Sequence, residues 1–172
     1  MALEMIFWVV DDATIQKLNE APLSVAGFLE EHEPAGSGPN HRNVDIFHFI
    51  LNGTEEPVSG IKGIFENLDD ACAIAVGEEV TAITSESTRQ LLKAFRKLDE
   101  TTIRKRWSRW IKLKGLVEDE NEPGLNEAER MRRRAQRTEE EADRYFHKSF
   151  AGLTQLCEEA QGQNQGLLWT WR

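Results

Sequence analysis

The strongest constraint on this chain lies in its last third. From Asn126 to about Ala160 the side chains keep helical character. A straight helix of that span is roughly 50 Å long at ~1.5 Å per residue. A single domain of 172 residues is only about 40 Å across. Such a helix must therefore project from the body or break. Asn126 with Glu129 is a capping box that starts it. Thr138 with Glu141 repeats the pattern and predicts a restart there. The half before the restart has only Ala128, Met131 and Ala135 as apolar contacts, whereas the half after it has Tyr145, Phe146, Phe150, Leu153 and Leu156. The second half is predicted to be the core helix, and residues 125–137 an exposed arm. Gly162 and Gly166 end the helix, and Leu167 to Trp171 read as a closing strand.

The remaining elements follow from start and stop signals. Residues 3–10 are rich in Ile, Phe, Trp and Val and predict a buried strand. Asp11 or Asp12 caps a helix through Asn19, and Pro22 opens another through about Glu31. The segment His32–Arg42, with Pro34, Gly36, Gly38 and Pro39, reads as a mobile loop. Asn43 as N-cap and Gly53 as the residue past the end bound a helix over 43–52. Residues 69–76 are small and apolar, and Gly60 and Gly63 mark turns. Glu78–Ile83 predicts a strand, and Thr84 caps a helix to about Leu98. Asp99 caps the next helix, which carries Ile103, Trp107, Trp110 and Ile111. Glu118 to Pro123 reads as an acidic loop. The whole is an α+β fold over residues 1–172, a single domain. A small mixed or antiparallel sheet packs with several helices, including a long C-terminal helix before the final strand.

A chain of this length buries roughly two-thirds of its unfolded surface, so it folds without disulfides or metals. Cys72 and Cys157 sit in apolar stretches and read as two small buried thiols. Glu4, Asp11 and Asp12 around the first apolar run argue for a strand rather than a signal peptide. No apolar stretch approaches the ~20 residues of a membrane span, which points to a cytoplasmic protein.

The net charge is −9, which disfavours general nucleic-acid binding. The distribution is uneven. Residues 1–88 hold three Lys/Arg and sixteen Asp/Glu, while residues 89–137 hold fifteen Lys/Arg and eight Asp/Glu.

Several motifs carry alternative readings. Asp45 and His48 share a helix face, with Thr54 near the helix end. They form either a base with its orienting carboxylate beside a nucleophile, or a hydrogen-bonded structural histidine with Asp45 supporting the first turn. His32, Glu33, His41 and His48 make a poor metal set, because two of them lie in a Gly/Pro loop, and no CxxC or HxxxH spacing occurs. Gly60-Ile-Lys62-Gly63 lacks the spacing of a phosphate loop. Arg104 to Trp110 interleaves cations with aromatics, a pattern that pairs with phosphates and stacks on bases in nucleic-acid-strand binders. Helical spacing gives a simpler account, which puts Ile103, Trp107, Trp110 and Ile111 on a buried face and the cations on the other. Arg130, Arg132, Arg133, Arg134 and Arg137 surround the arm, which is a solvated helix or a dock for an acidic partner.

The segment Asp45-Ile-Phe-His48-Phe49-Ile-Leu51-Asn-Gly53-Thr54 resembles the YfbM-like family of small bacterial proteins. The Ile83-Thr84-Ser85-Glu86 entry to a helix and the aromatic final strand are similar to that family as well. The chain departs from it in lacking a Tyr-Gly-Pro segment before Thr84 and a tryptophan shortly before His48. The resemblance implies an α+β fold around a small sheet and no established activity.

Without a complete catalytic set, the leading expectation is a non-enzymatic protein-binding module, with no cofactor and no metal. Its concrete form is an immunity protein that neutralises a basic toxin domain, contacting it through Glu30, Glu31, Glu33, Asp45, Glu55 and Glu56. The alternative is a small-ligand binder or enzyme built on His48, Asp45 and Thr54. A homodimer through the arm is the third possibility.

Overall fold

The computed structural model describes residues 3–58, 60–64, 72–114 and 124–172. The acidic stretch Glu118–Pro123 and residues 69–71 lie outside the described residues, as do the side chains of Arg134, Ala135, Arg137, Thr138 and Tyr145.

Strand β1 (Glu4–Val10) leads into helix α1 (Asp12–Glu20), a single 3₁₀ turn (Pro22–Ser24) and α2 (Val25–Glu31). Then come β2 (Gly36–Asn40), a second 3₁₀ turn (His41–Asn43), α3 (Val44–Asn52) and a third 3₁₀ turn (Gly60–Gly63). The hairpin β3 (Ile74–Gly77) and β4 (Val80–Ile83) precedes α4 (Ser85–Phe95) and α5 (Glu100–Lys114). Last are α6 (Glu127–Glu141), a π-helical stretch (Ala142–His147), α7 (Lys148–Gly162) and β5 (Gly166–Trp171).

The described strands form one antiparallel sheet in the order β2-β1-β5-β4-β3. The first and last strands are neighbours, paired from Met5–Trp171 to Val10–Gly166. Both faces of this sheet are covered, which explains why residues 3–10 show no polar alternation. Met5 and Phe7 point into one apolar cluster, Trp8 and Val10 into the other. β5 divides likewise, with Leu167 and Trp169 on one side and Leu168 on the other. The larger cluster packs the sheet against α3, α4, α5 and α7 through Phe47, Leu91, Trp107 and Phe150, among others. The smaller cluster packs it against α1 and α2 through Ile15, Leu18, Val25 and Leu29.

Four of the predicted caps form. Asp11 accepts from the Thr14 amide (2.6 Å) and Asp99 from the Thr102 amide (2.6 Å). Those bonds hold both carboxyls below the usual aspartate range. Thr84 accepts from the Ser87 amide at 3.3 Å. The Asn126–Glu129 box closes reciprocally at 3.0 and 2.9 Å. Asp12 serves a different helix from its neighbour. Its carboxylate accepts from the Ser85 amide and hydroxyl, both at 2.7 Å, and so anchors the start of α4 on α1.

Three readings are corrected. The loop predicted over His32–Arg42 contains the edge strand β2, with sequence Gly-Ser-Gly-Pro-Asn. A Cβ on Gly38 would sit 2.7 Å from the Phe7 ring, so this strand pairs with β1 only because residue 38 has no side chain. Pro39 is tolerated because an edge strand leaves one row of backbone groups unpaired. Second, no restart occurs at Thr138. The backbone stays helical through Glu141, and the π-helical stretch widens the turn without a second side-chain cap. Third, Cys157 is fully buried but Cys72 only half-buried. In the arm Glu127–Glu129, Met131–Arg133 and Gln136 are exposed, while Leu125 and Arg130 are half-buried.

Candidate functional site

Helix α3 carries the residues on which a catalytic reading would rest. Its entry is prepared one turn early, where Asn40 Oδ1 accepts from the Arg42 amide at 3.1 Å. Asn43 occupies the N-cap position but makes no side-chain cap bond. At the other end Gly53 adopts φ +73°, and its amide bonds to the Phe49 carbonyl at 2.7 Å. The next two carbonyls, of Ile50 and Leu51, accept from Arg106 Nη1 at 2.6 and 2.8 Å. A positive guanidinium at the negative end of a helix is favourable. Burial pulls the Arg106 guanidinium below its ordinary value, yet an arginine remains charged. The sequence pattern placed Arg106 with the outward cations of α5. It points inward instead, tying α5 to α3.

His48 lies deep in this arrangement, 1% exposed. Its Nε2 is 3.1 Å from the Glu56 carbonyl, and its Nδ1 is 3.3 Å from Asn52 Nδ2. A carbonyl only accepts, so Nε2 donates to it, and Nδ1 faces the Asn52 side-chain amide. Both ring nitrogens are thus engaged. Thr54 Oγ1 accepts from the Glu56 amide at 3.1 Å and shapes the turn that presents the Glu56 carbonyl to His48. Thr54 and His48 are brought to one turn, whereas Asp45 stands exposed on the first turn of α3.

The other histidines are dispersed. His32 Nδ1 donates to the Phe28 carbonyl at 2.8 Å, its ring stacks on Phe28, and its own carbonyl accepts from Trp8 Nε1. His41 Nδ1 accepts from the Leu3 amide at 3.0 Å. Among the described residues no group of three or more His, Cys, Asp or Glu is placed to hold a metal ion. The Cys157 thiol is pushed up to about 12 by burial and by neighbouring Glu158, which removes its nucleophilic form at neutral pH.

The six acidic contact candidates separate into two groups. Glu30, Glu31 and Glu33 are exposed at the end of α2, over the smaller cluster. Asp45, Glu55 and Glu56 are exposed around α3, over the larger one. The groups therefore belong to opposite faces of the sheet. The second group also lies beside the cations of α5. Glu55 forms an ion pair with Lys114, whose Nζ sits 4.8 Å from the Trp110 ring centre. The α2 group has no such neighbours in sequence, because residues 18–41 hold four glutamates and neither Lys nor Arg.

No family model and no curated protein matches the chain. Its fold is similar to the crystal structure of YfbM from Escherichia coli, a protein of unknown function, with a TM-score of 0.53 and 16% identity. The similarity covers 98% of this chain and 99% of that one. That end-to-end likeness gives this chain a YfbM-like fold.

Proposed function

We propose that the protein is a non-enzymatic binding module that docks a basic protein partner through the acidic surface at α2. One observation carries this reading: the segregation of charge. Across residues 18–41, Glu20, Glu30, Glu31 and Glu33 face solvent with no cation in the segment. Leu23, in the same segment, is 99% exposed. An exposed apolar side chain in an acidic segment suits a partner with an apolar recess and a basic rim. The engagement of both His48 nitrogens favours this reading over one built on a pocket around His48, Asp45 and Thr54. Its concrete form is an immunity protein working in the cytoplasm, where an acidic face blocks a basic toxin domain and long-range attraction speeds encounter. Among the described residues no helix is long and apolar enough to cross a membrane. Asp45, Glu55 and Glu56 add a second contact region on the other face.

The test starts from affinity capture of the tagged protein, followed by titration with the captured partner. Combining Glu30→Lys, Glu31→Lys and Glu33→Lys is expected to weaken binding about a hundredfold at low salt and to flatten its salt dependence. Unchanged affinity in that variant overturns the proposal, as does capture of nothing but a second copy of the chain.

A further inference from the structure

Across the sheet from α2, helix α5 turns a second charged surface to solvent. Thr101, Arg104, Lys105, Ser108, Arg109 and Lys112 line a shallow depression of about 550 Å³. Thr101, Lys105, Ser108 and Lys112 step by four, three and four, and Arg104 and Arg109 flank them, so the six share one side of the helix as a stripe. Eleven residues separate the ends of the stripe, roughly 16 Å at ~1.5 Å per residue. The opposite stripe, Ile103, Trp107, Trp110 and Ile111, is buried, so the cations are not needed to pack α5. They also work against the helix. Lys105 and Arg109 are four apart and Arg109 and Lys112 three apart, and like charges at those spacings repel. Arg104 is steadied by Glu100, and the Arg109 guanidinium lies 5.7 Å from the Phe49 ring centre. Lys105, Arg109 and Lys112 are exposed.

We infer that the outer face of α5 docks an acidic segment of a protein partner. This surface stands apart from the acidic one at α2 and does not depend on it. Arginine forks match carboxylates in a planar, two-bond geometry, and the Thr101 and Ser108 hydroxyls add donors between them. A nucleic-acid strand fits the surface less well. Both tryptophans of α5 point inward, so bases have no ring to stack on. A strand with a charge every ~3.4 Å also extends well beyond the stripe into the field of a chain with net charge −9. A short acidic segment stays within about a Debye length, ~8 Å, of the local cations.

The experiment is fluorescence anisotropy of a labelled short poly-glutamate peptide titrated with the full chain at low salt. Saturable binding is expected, weakened at least about tenfold by combining Lys105→Glu, Arg109→Glu and Lys112→Glu. The milder pair Lys105→Gln and Lys112→Gln is expected to weaken it in the same direction, and it serves if the triple variant melts early. Combining Glu30→Gln, Glu31→Gln and Glu33→Gln, which removes the α2 charge, leaves peptide binding unchanged or tighter. Absence of saturable binding overturns the inference. So does binding indifferent to these substitutions, or an oligothymidylate that binds more tightly than the peptide and is released by the same changes.

Discussion

The two faces of the sheet differ in almost every physical respect. On one side α1 and α2 cover a small cluster and carry carboxylates on their outer surface. On the other, α3, α4, α5 and α7 enclose a larger cluster rich in rings, and α5 carries cations outward. Phe47 meets Phe146 and Phe150 at centroid distances of 5.3 and 4.9 Å, and Trp107 meets Phe146 at 4.6 Å. Such ring pairs add to burial. The large face therefore buries the greater share of the apolar side chains. Charge follows this division in part: α2 carries exposed carboxylates in a segment without Lys or Arg, whereas on the other face cations and carboxylates pair, Arg89 with Glu86, Arg96 with Glu158 and Lys114 with Glu55.

The seam between the faces is where the comparison breaks most completely. Gly166 opens β5, and a Cβ there would lie 2.2 Å from the Ile83 carbonyl and 2.9 Å from Ile15 Cδ1. Neither the backbone of β4 nor the core residue beneath can yield, so Gly166→Ala is expected to cost about 3 kcal/mol or more. Urea unfolding monitored by tryptophan fluorescence measures it. A loss below about 1 kcal/mol would show that the seam relaxes.

A matched pair of truncations sharpens the contrast. Leu153→Ala on the large face and Leu18→Ala on the small face each remove a buried leucine. Both are expected within the 2–5 kcal/mol typical of such sites, roughly, with Leu153 nearer the top because rings on several helices hold its cavity open. The smaller cluster has fewer rigid neighbours and collapses further. Equal losses by urea denaturation would remove the distinction between the faces.

The smallest expected effect is in acid. Asp11 caps α1 on the small face, and Asp99 caps α5 on the large one. Both carboxyls titrate below their ordinary value of 3.8 in the folded chain, because amide and hydroxyl donors of Thr14 and Thr102 favour the charged form. A depressed folded value means the contribution is complete above the unfolded pKa and is lost as pH falls through the folded one. Thermal melts should therefore be flat in this respect at neutral pH and drop below about pH 4. Asp11→Asn and Asp99→Asn keep a capping oxygen but remove the titration, and each should flatten that drop. A variant with an unaltered acid limb would mean that its cap contributes nothing.

Much of this was legible from local patterns. The capping residues Asp11, Thr84, Asp99 and the Asn126–Glu129 pair act within three residues of themselves, so spacing alone locates them. The buried stripe of α5 follows from helical periodicity in the same way. β2 was not legible. Gly-Ser-Gly-Pro-Asn has the composition of a loop, and its strand geometry is imposed by β1 and by the Phe7 ring that closes over Gly38. Arg106 looked like its outward neighbours, and only the carbonyls at the end of α3 explain why it turns in. For His48 the motif offered two roles, and what its Nε2 meets is a carbonyl eight residues away that no local spacing announces.

Taken alone, the order of residues determined the α+β class, the ends of most helices, the buried faces of α5 and α7, and the uneven charge along the chain. These depend on interactions spanning a turn or two, which spacing encodes directly. Tertiary structure alone decided that Asp12 would cap α4, that Arg106 would bond to α3, and that the π-helical stretch would join arm to core without a restart. It also decided that the acidic residues, close in sequence, would be divided by the sheet. Those outcomes depend on which segments pack together, a property of the whole fold's burial and hydrogen bonding rather than of any local stretch of residues.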